Sequence, residues 1–173
     1  MAANGGSPAQ RGAPDPAEFR AAAGRFATGV TVVTTVSDGM DHAMTANAFT
    51  SVSLDPLLVL VCVAREARFH DAILDSGLWG VSVLEASARP ASAWFATRGR
   101  PLHGQLTRYA HHRGARTGVA LLDASLATLE CRTWAVHDGG DHSIVVGEVL
   151  AVELPQPDGQ PLLWFRAGYS LLP

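Results

Sequence analysis

The first periodic pattern along the chain is helical and begins at residue 15. Asp15 is a typical N-cap, Pro16 suits the first helical position, and Glu18 completes a capping box. Apolar side chains then recur at helical spacing, at Phe19, Ala22, Ala23 and Phe26. Because glycine is a common C-terminal stop, the pattern predicts a short helix that ends before Gly29.

Beyond this helix the pattern becomes that of β-strands. Strand patterns recur at 30–36, 43–54, 57–63, 78–84, 125–137, 142–154 and 162–166. Turn residues separate them, notably Ser37-Asp38-Gly39 and Asp55-Pro56. Two short helices are predicted at 69–76 and 87–97, whereas 98–118 holds five arginines, three histidines and four glycines without a period and predicts an irregular loop.

Strands that follow one another through short turns, with helices at the margins, predict a mainly β, antiparallel barrel. The length of 173 residues fits one domain, which we assign to 15–173. Residues 1–14 are rich in Ala, Gly, Pro and Ser without an apolar period, and they predict a disordered tail.

The composition excludes several kinds of catalytic site and argues against several kinds of partner. The net charge is −3, and all 13 basic residues are arginine, so a Schiff-base or P-loop lysine is excluded. An acidic chain without a basic stripe argues against nucleic acid as the partner. No apolar run reaches membrane-span length and no secretory signal is visible, so no membrane association is expected. Cys62 and Cys131 lie in apolar strand patterns and are interpreted as buried free thiols of a cytoplasmic protein.

Motifs of several enzyme classes are absent from the sequence. No dinucleotide-binding Gly-x-Gly-x-x-Gly follows a strand, and neither a P-loop nor a Gly-x-Ser-x-Gly elbow occurs. His137 and His142, with Asp138 and Asp141, flank one turn and offer metal-ligating atoms. The favoured interpretation is a solvated hairpin loop, because zinc ligands are usually grouped more tightly. No metal site is predicted.

The segment 44–53 carries small and hydroxyl side chains where a core strand would carry bulky ones. Small side chains let a flat ligand lie against the backbone, whose N–H and C=O groups then read the ring edges. An edge strand with a solvated Thr/Ser face explains the same pattern equally well.

The segment 140–149 begins with Gly140-Asp141-His142 and continues as an apolar strand. This order places two ionisable groups at one end of the predicted barrel. An ordinary junction between a loop and a strand is the alternative interpretation.

Taken together and in order, these segments resemble the flavin reductase-like domain family, the short-chain reductase components of two-component flavin-dependent monooxygenases. The matching segments are 26–35, 44–49, 51–56, 76–77, 81–84, 95–96, 140–142, 147–149 and 161–163, with Tyr169. The resemblance covers about residues 16–172. Each element is weak by itself, and the ordered set is specific.

The resemblance implies a split β-barrel with Greek-key-like antiparallel strands and a few peripheral helices, assembled as a homodimer that binds FMN or FAD near the subunit interface. It also implies that NADH or NADPH reduces the flavin, which then diffuses to a partner monooxygenase. Such chemistry is performed by the cofactors, so the lack of a catalytic acid–base constellation agrees with it.

The resemblance also implies positions for the ligands. It places the isoalloxazine ring of the flavin against Met44, Thr45, Asn47 and Ala48. It places the ribityl chain and phosphate near Cys62, Val63 and Ala64, with Arg68 and Phe69 at the start of a helix. Further pocket residues are implied at Trp94, Phe95, Gln160, Pro161, Leu162 and Leu163. His142, with Asp141, is implied to contact the nicotinamide, the alternative being a residue that only stabilises the hairpin.

One departure from the family pattern bears on the phosphate site. Arg65-Glu66-Ala67-Arg68 stands where relatives often have serines, which removes a hydroxyl ligand and leaves Glu66 beside an anion. Arg65 and Arg68 are expected to compensate. Two other functions remain open at this stage, a non-catalytic flavin- or haem-binding carrier or sensor, and an oxidase or monooxygenase that retains its flavin.

Overall fold

The computed structural model describes residues 14–172, so the tail predicted at 1–14 lies outside the described residues apart from Pro14. The helices are α1 (Pro16–Ala23), α2 (Arg68–Ser76) and α3 (Arg89–Ala96), the last preceded by a 3-10 turn at Ala86–Ala88. The strands are β1 (Thr28–Gly29), β2 (Thr31–Ser37), β3 (Met40–Ala46), β4 (Phe49–Leu54), β5 (Leu57–Ala64), β6 (Leu78–Leu84), β7 (His111–Arg113), β8 (Ala120–Leu122), β9 (Ser125–Gly139), β10 (His142–Glu153), β11 (Leu163–Phe165) and β12 (Gly168–Ser170). Within 14–172, no helix is long and apolar enough to cross a bilayer.

Seven strands form the main sheet, in the order β3-β2-β6-β9-β10-β5-β4, and every ladder is antiparallel. The edge strands β3 and β4 are consecutive in sequence and joined only by Asn47 and Ala48. A fully extended chain spans about 11 Å between the Cα atoms of Ala46 and Phe49. The two edges of the sheet must therefore approach one another, and the sheet curls into the predicted barrel.

Two hydrophobic clusters are packed on opposite faces of β2. Val32 belongs to a cluster that includes Phe95 of α3, and its neighbour Val33 belongs to one that includes Phe69 of α2. Successive side chains of a strand point to opposite faces, so both faces of β2 are covered and its residues 31–35 are all buried. The ends of α2 and α3 thereby lie on either side of the same region of the sheet.

The structure corrects several predicted boundaries. The strand predicted at 43–54 is two strands, because its halves pair with β2 and β5 at opposite edges of the sheet. The loop predicted at 98–118 contains β7, which pairs with the unpredicted β8, and β12 was also unpredicted. These short strands carry too few residues to show a period of their own.

The predicted start of α1 is confirmed, since the Asp15 carboxylate accepts a hydrogen bond from the Ala17 amide at 3.1 Å. Its end is earlier than predicted, with Gly24 as the C-cap and Gly29 in β1. No residue of α1 is buried, and Phe19 and Phe26 are 67% and 78% exposed. The helical apolar pattern therefore faces outward instead of into the core.

Both cysteines are free, as predicted. Cys62 lies on β5 opposite Ile144, and Cys131 lies on β9 opposite Val149, with β10 between the two strands. A disulfide needs Cα atoms within about 7 Å, which this separation excludes. Burial raises the pKa of the Cys131 thiol to about 12, so it is an unreactive core residue.

Candidate functional site

A cavity of about 470 Å³ opens where α2, α3 and the edge strand β3 meet. Its volume lies in the range of about 300–1,000 Å³ typical of small-molecule sites. The wall is formed by β3, the end of β5, the first turn of α2, the end of α3 and the loop that follows α3. Phe69 and Phe95, one from each core cluster, both line it.

The β3 wall is built from small or flexible side chains and backbone. Met44 and Thr45 line the cavity on a strand that pairs with β2 on one side only. The Thr45 hydroxyl donates to the Ser92 carbonyl of α3 at 2.6 Å, which fixes the strand against the helix. The Ala43 carbonyl accepts a hydrogen bond from the Arg100 guanidinium. Backbone groups of the unpaired edge of β3 are therefore available to polar partners inside the cavity.

Three arginines converge on the cavity from two segments that are distant in sequence. Arg68, the first residue of α2, donates to the Arg100 carbonyl at 3.0 Å. Arg100 is half-buried, and its guanidinium donates to the Thr97 carbonyl at 2.9 Å and to Gln105 Oε1 at 3.2 Å. Arg98 pairs with Glu66 at 2.7 Å. The Glu66 charge is thus neutralised by Arg98, and Arg68 and Arg100 leave the cavity cationic.

His42 also lines the cavity and is 9% exposed. Its burial, together with the nearby Arg68 charge, lowers the pKa of the His42 imidazole, whereas Asp38 and Asp41 oppose that shift more weakly. The neutral ring is therefore favoured, and the cationic character of the cavity comes from arginine.

The Gly140-Asp141-His142 segment lies one strand away from the cavity. His142 is directly opposite Ala64, which lines the cavity, in the β10–β5 ladder. His142 Nδ1 donates to the Asp141 carboxylate at 2.7 Å, and this hydrogen bond lowers the pKa of the Asp141 carboxyl. In the neutral ring, Nε2 is then the free acceptor of an imidazole whose side chain is 42% exposed.

Arg65 does not lie among the cavity residues. Its guanidinium instead donates to Asp138 Oδ1 at 2.9 Å and to the Gly140 carbonyl at 3.0 Å, and its amide donates to the Asp141 carbonyl at 3.0 Å. The expectation that Arg65 would support a phosphate is therefore replaced by a structural role, that of holding the β9–β10 turn against the end of β5.

The structure brings together part of the predicted ligand set. The predicted residues that line the cavity are Met44, Thr45, Ala64, Arg68, Phe69 and Phe95. The predicted residues that do not line it are Asn47, Ala48, Cys62, Val63, Asp141, His142, Trp94, Gln160, Pro161, Leu162 and Leu163. Val63 and Leu162 are at most 1% exposed, and their side chains are packed into the two core clusters.

The remaining predicted residues have other surroundings. Asn47 and Ala48 are exposed in the β3–β4 connection, where the Ala48 carbonyl accepts from the Cys62 amide. Trp94 donates from Nε1 to the Gln105 carbonyl at 3.1 Å, behind the cavity wall. Gln160 and Pro161 lie beside the 3-10 turn, where the Gln160 carbonyl accepts from the Ala86 amide.

Sequence reasoning missed His42, Arg100 and Gln105. Gln105 is buried and joins Arg100 to β3, because its Nε2 donates to the Asp41 carbonyl at 2.6 Å. The only signal for Arg100 and Gln105 was the density of arginine and histidine in 98–118, which has no period and predicts no position, and His42 lies just before the strand predicted at 43–54.

The comparisons with known proteins agree on one family. A sequence model described as "Flavin reductase like domain" matches residues 23–173. A similar curated protein is the NADH-dependent flavin reductase of a Rhodococcus species, which is 41% identical over 160 residues, covering 91% of this chain and 86% of that protein. The reductase component of 4-hydroxyphenylacetate 3-monooxygenase from Thermus thermophilus is 40% identical over 154 residues, covering 89% of this chain and 95% of that protein.

A solved structure has the same fold. BorF, the flavin reductase component of a bacterial two-component tryptophan halogenase, superposes with a TM-score of 0.86 at 45% identity, covering 92% of this chain and 99% of that one. The split-barrel fold expected from the resemblance is thereby confirmed. With a matching family model over most of its length and relatives above 40% identity, this chain belongs to the flavin reductase like domain family.

Proposed function

We propose that this protein is an NAD(P)H:flavin oxidoreductase that reduces FMN or FAD and supplies the reduced flavin to a partner flavin-dependent monooxygenase. The observation that carries the proposal is a cationic cavity with an open strand edge, one strand away from an ordered His142–Asp141 pair. A relative named as an NADH-dependent flavin reductase supports the activity, and a relative named as a monooxygenase reductase component supports the partner.

The cavity residues fit a flavin by their chemistry. The edge of β3 at Met44 and Thr45 offers backbone groups and small surroundings to a flat ring. Arg68 and Arg100 offer charged donors to a phosphate, and Arg68 opens a helix whose N-terminal amides also favour an anion. Glu66 is paired with Arg98, so it does not oppose the anion as an isolated charge.

Asn47, Ala48, Cys62, Gln160, Pro161 and Leu163 belong to the proposed site as the more distant part of the flavin contact surface, whereas Trp94 lies behind the cavity wall and the Leu162 side chain is packed in the core. Asn47 and Ala48 extend the β3 edge beyond Thr45 and are exposed to a partner molecule. The half-buried Cys62 lies beneath that connection, since its amide donates to the Ala48 carbonyl at 3.0 Å.

A bound flavin supplies the redox chemistry by accepting a hydride equivalent from the nicotinamide. The chain's own residues bind and orient the flavin and the nicotinamide. The arginines fix the anionic end of the ligand, and β3 fixes its flat part. His142 offers Nε2 toward the nicotinamide, and Asp141 holds the imidazole in one tautomer. Orientation of this kind is the main contribution expected of the protein, because hydride transfer needs closely held partners and no acid–base pair.

The proposal includes a homodimer. An eight-residue helix is marginal in water by itself, and α1 buries none of its residues within its own chain. Phe19 of α1 and Phe26, which follows the helix, are exposed, and Leu54 at the end of the edge strand β4 is 86% exposed. A second copy that covers these surfaces would stabilise them by hydrophobic burial. We place the enzyme in the cytoplasm, where two free thiols are typical.

The test is NADH oxidation followed by absorbance, with FMN, FAD or riboflavin added in turn and NADPH as the alternative donor. Turnover that saturates with one flavin would establish the reductase and identify its flavin. No turnover with either nicotinamide, with an added flavin bound but still oxidised under anaerobic conditions, would replace the proposal with a carrier. Light scattering of the same sample tests the dimer, and a monomer at all concentrations would contradict it.

A further inference from the structure

His70 is a buried histidine that lies outside the cavity yet is bonded through both ring nitrogens. Its side chain is 11% exposed. Nδ1 lies 2.9 Å from Asp71 Oδ1, and Nε2 lies 2.9 Å from Ser143 Oγ. Because a carboxylate only accepts, Nδ1 carries a proton, and in the neutral ring Nε2 accepts from the Ser143 hydroxyl. The orientation of the imidazole is thereby fixed at both ends.

Ser143 is the residue after His142 on β10, and it is 4% exposed. Successive strand residues point to opposite faces, so Ser143 faces α2 while His142 faces away from it. Ser143 lies opposite Val63 in the ladder, next to the pair of His142 with Ala64. A side-chain hydrogen bond at Ser143 therefore restrains the backbone from which His142 projects.

The other end of the same contact reaches the cavity. His70 is the third residue of α2, directly after Arg68 and Phe69, which line the cavity. The His70–Ser143 hydrogen bond joins segments 73 residues apart and is buried. It connects the first turn of α2, at the proposed flavin phosphate site, to the first residues of β10, at the proposed nicotinamide site.

The arrangement Asp71–His70–Ser143 has the order of a nucleophilic triad, but its serine is closed off in the core. Ser143 is 4% exposed and is not among the residues lining the cavity, so no substrate carbonyl reaches its hydroxyl. The His70–Ser143 hydrogen bond therefore positions the backbone of β10 and does not activate a nucleophile.

We infer that His70 is a positioning residue for hydride transfer. Through its hydrogen bond to Ser143, His70 sets the position of His142 relative to the cavity in which the flavin would bind. The inference rests on the proposed reductase function. Loss of the His70–Ser143 hydrogen bond is expected to weaken nicotinamide binding while flavin binding through Arg68 and β3 stays intact.

The experiment compares substitutions of His70 whose side chains place an amide group at the position of either Nε2 or Nδ1. In His70→Gln the amide reaches toward Ser143, whereas in His70→Asn it occupies only the Nδ1 position beside Asp71. Ser143→Ala removes the partner instead. Ser82→Ala is the matched control, because the Ser82 hydroxyl on β6 is also fully buried and accepts from the Leu122 amide of β8 at 2.9 Å.

We expect His70→Asn and Ser143→Ala to raise the KM for NADH about fivefold, the scale of one lost hydrogen bond. The flavin Kd should stay within about twofold, His70→Gln should be close to wild type, and Ser82→Ala should lower the Tm without moving the KM. The double variant His70→Asn/Ser143→Ala should be no worse than either single variant, because both remove the same contact.

A second readout uses the flavin-free protein. Hydrogen–deuterium exchange of peptides covering residues 140–144 should accelerate in His70→Asn and Ser143→Ala, and not in His70→Gln or Ser82→Ala. An unchanged NADH KM in folded Ser143→Ala, or no acceleration of exchange, would overturn the inference. If wild type shows no flavin turnover, the reductase proposal fails, and the exchange result still decides whether His70 holds this segment. Should His70→Asn not fold, Ser143→Ala decides.

Discussion

The Cα atom of Gly147 on β10 lies so close to the indole of Trp79 on β6 that a Cβ at position 147 would overlap the ring. Trp79 is fully buried and donates from Nε1 to Oγ1 of Thr133, on the intervening β9, at 3.2 Å. The indole therefore covers β9 and ends against β10. Glycine at 147 is required by this approach, which gives a physical reason for one residue of the family pattern at 147–149.

Gly147→Ala should destabilise the protein by about 1–3 kcal/mol, the usual cost of overpacking a rigid core. The clash is with an aromatic ring that has little freedom to move, because Trp79 is fully buried. Denaturant unfolding measures the effect. Gly29→Ala is the matched control in a strand, since a Cβ there meets nothing within 4 Å. Equal stability of the two variants would contradict the close approach.

Arg68→Ala should weaken flavin binding by about 1.5–3 kcal/mol, the contribution of one charge-assisted hydrogen bond to a phosphate. Fluorescence titration with FMN and FAD measures the affinity. Arg132→Ala serves as the control, because Arg132 pairs with Glu148 in an exposed ion pair and does not line the cavity. Unchanged affinity in Arg68→Ala would remove Arg68 from the site.

His142→Ala should raise the apparent KM for NADH while flavin affinity stays near that of wild type. The imidazole lies one strand from the cavity wall, and Asp141 holds its ring. Steady-state kinetics at saturating flavin separate the two effects. NADH kinetics identical to wild type would show that His142 only stabilises the hairpin.

His112 should stabilise the fold more at acidic than at alkaline pH. Its Nδ1 donates to Asp123 at 2.8 Å, and Nε2 lies 3.1 Å from Glu153. The hydrogen bond to Asp123, with the charges of Glu153 and Asp123, raises the pKa of His112 above 6.5. Because the folded pKa exceeds the unfolded one, this stabilisation is complete below the unfolded pKa and is lost as pH rises through the folded pKa.

The difference in unfolding free energy between wild type and His112→Gln should therefore be larger at about pH 5.5 than at about pH 9. Added salt should reduce the difference, since both carboxylates are half-exposed. His103→Gln, in an exposed loop, is the control. A difference that does not vary with pH would mean that His112 is not charged between its carboxylates.

Several elements of the fold could be predicted because their signals are local. The strand at 78–84 was predicted with its observed bounds, and the N-cap at Asp15 was correct. Alternation and capping are properties of a few neighbouring residues, so a single sequence carries them. The error at 43–54 has the same cause. The pattern there is continuous, but the chain forms two strands, and the pattern does not show that these strands pair with different neighbours.

The candidate site was predictable where the family resemblance assigned residues to predicted strands and helices. Of those residues, Met44, Thr45, Ala64, Arg68, Phe69 and Phe95 line the cavity. Arg100 and Gln105 were missed, because they come from an irregular loop that carries no period.

The sequence by itself determined the strand order along the chain, the antiparallel class and the family, since these depend on periodicity and on ordered motifs. The tertiary structure alone decided that Arg65 holds Asp138 and that Arg98 neutralises Glu66, pairs separated by 73 and 32 residues. Charged side chains have many partners open to them in an unfolded chain. Only packing of the barrel brings one partner within hydrogen-bond distance, so their roles are fixed by the fold and not by their neighbours in sequence.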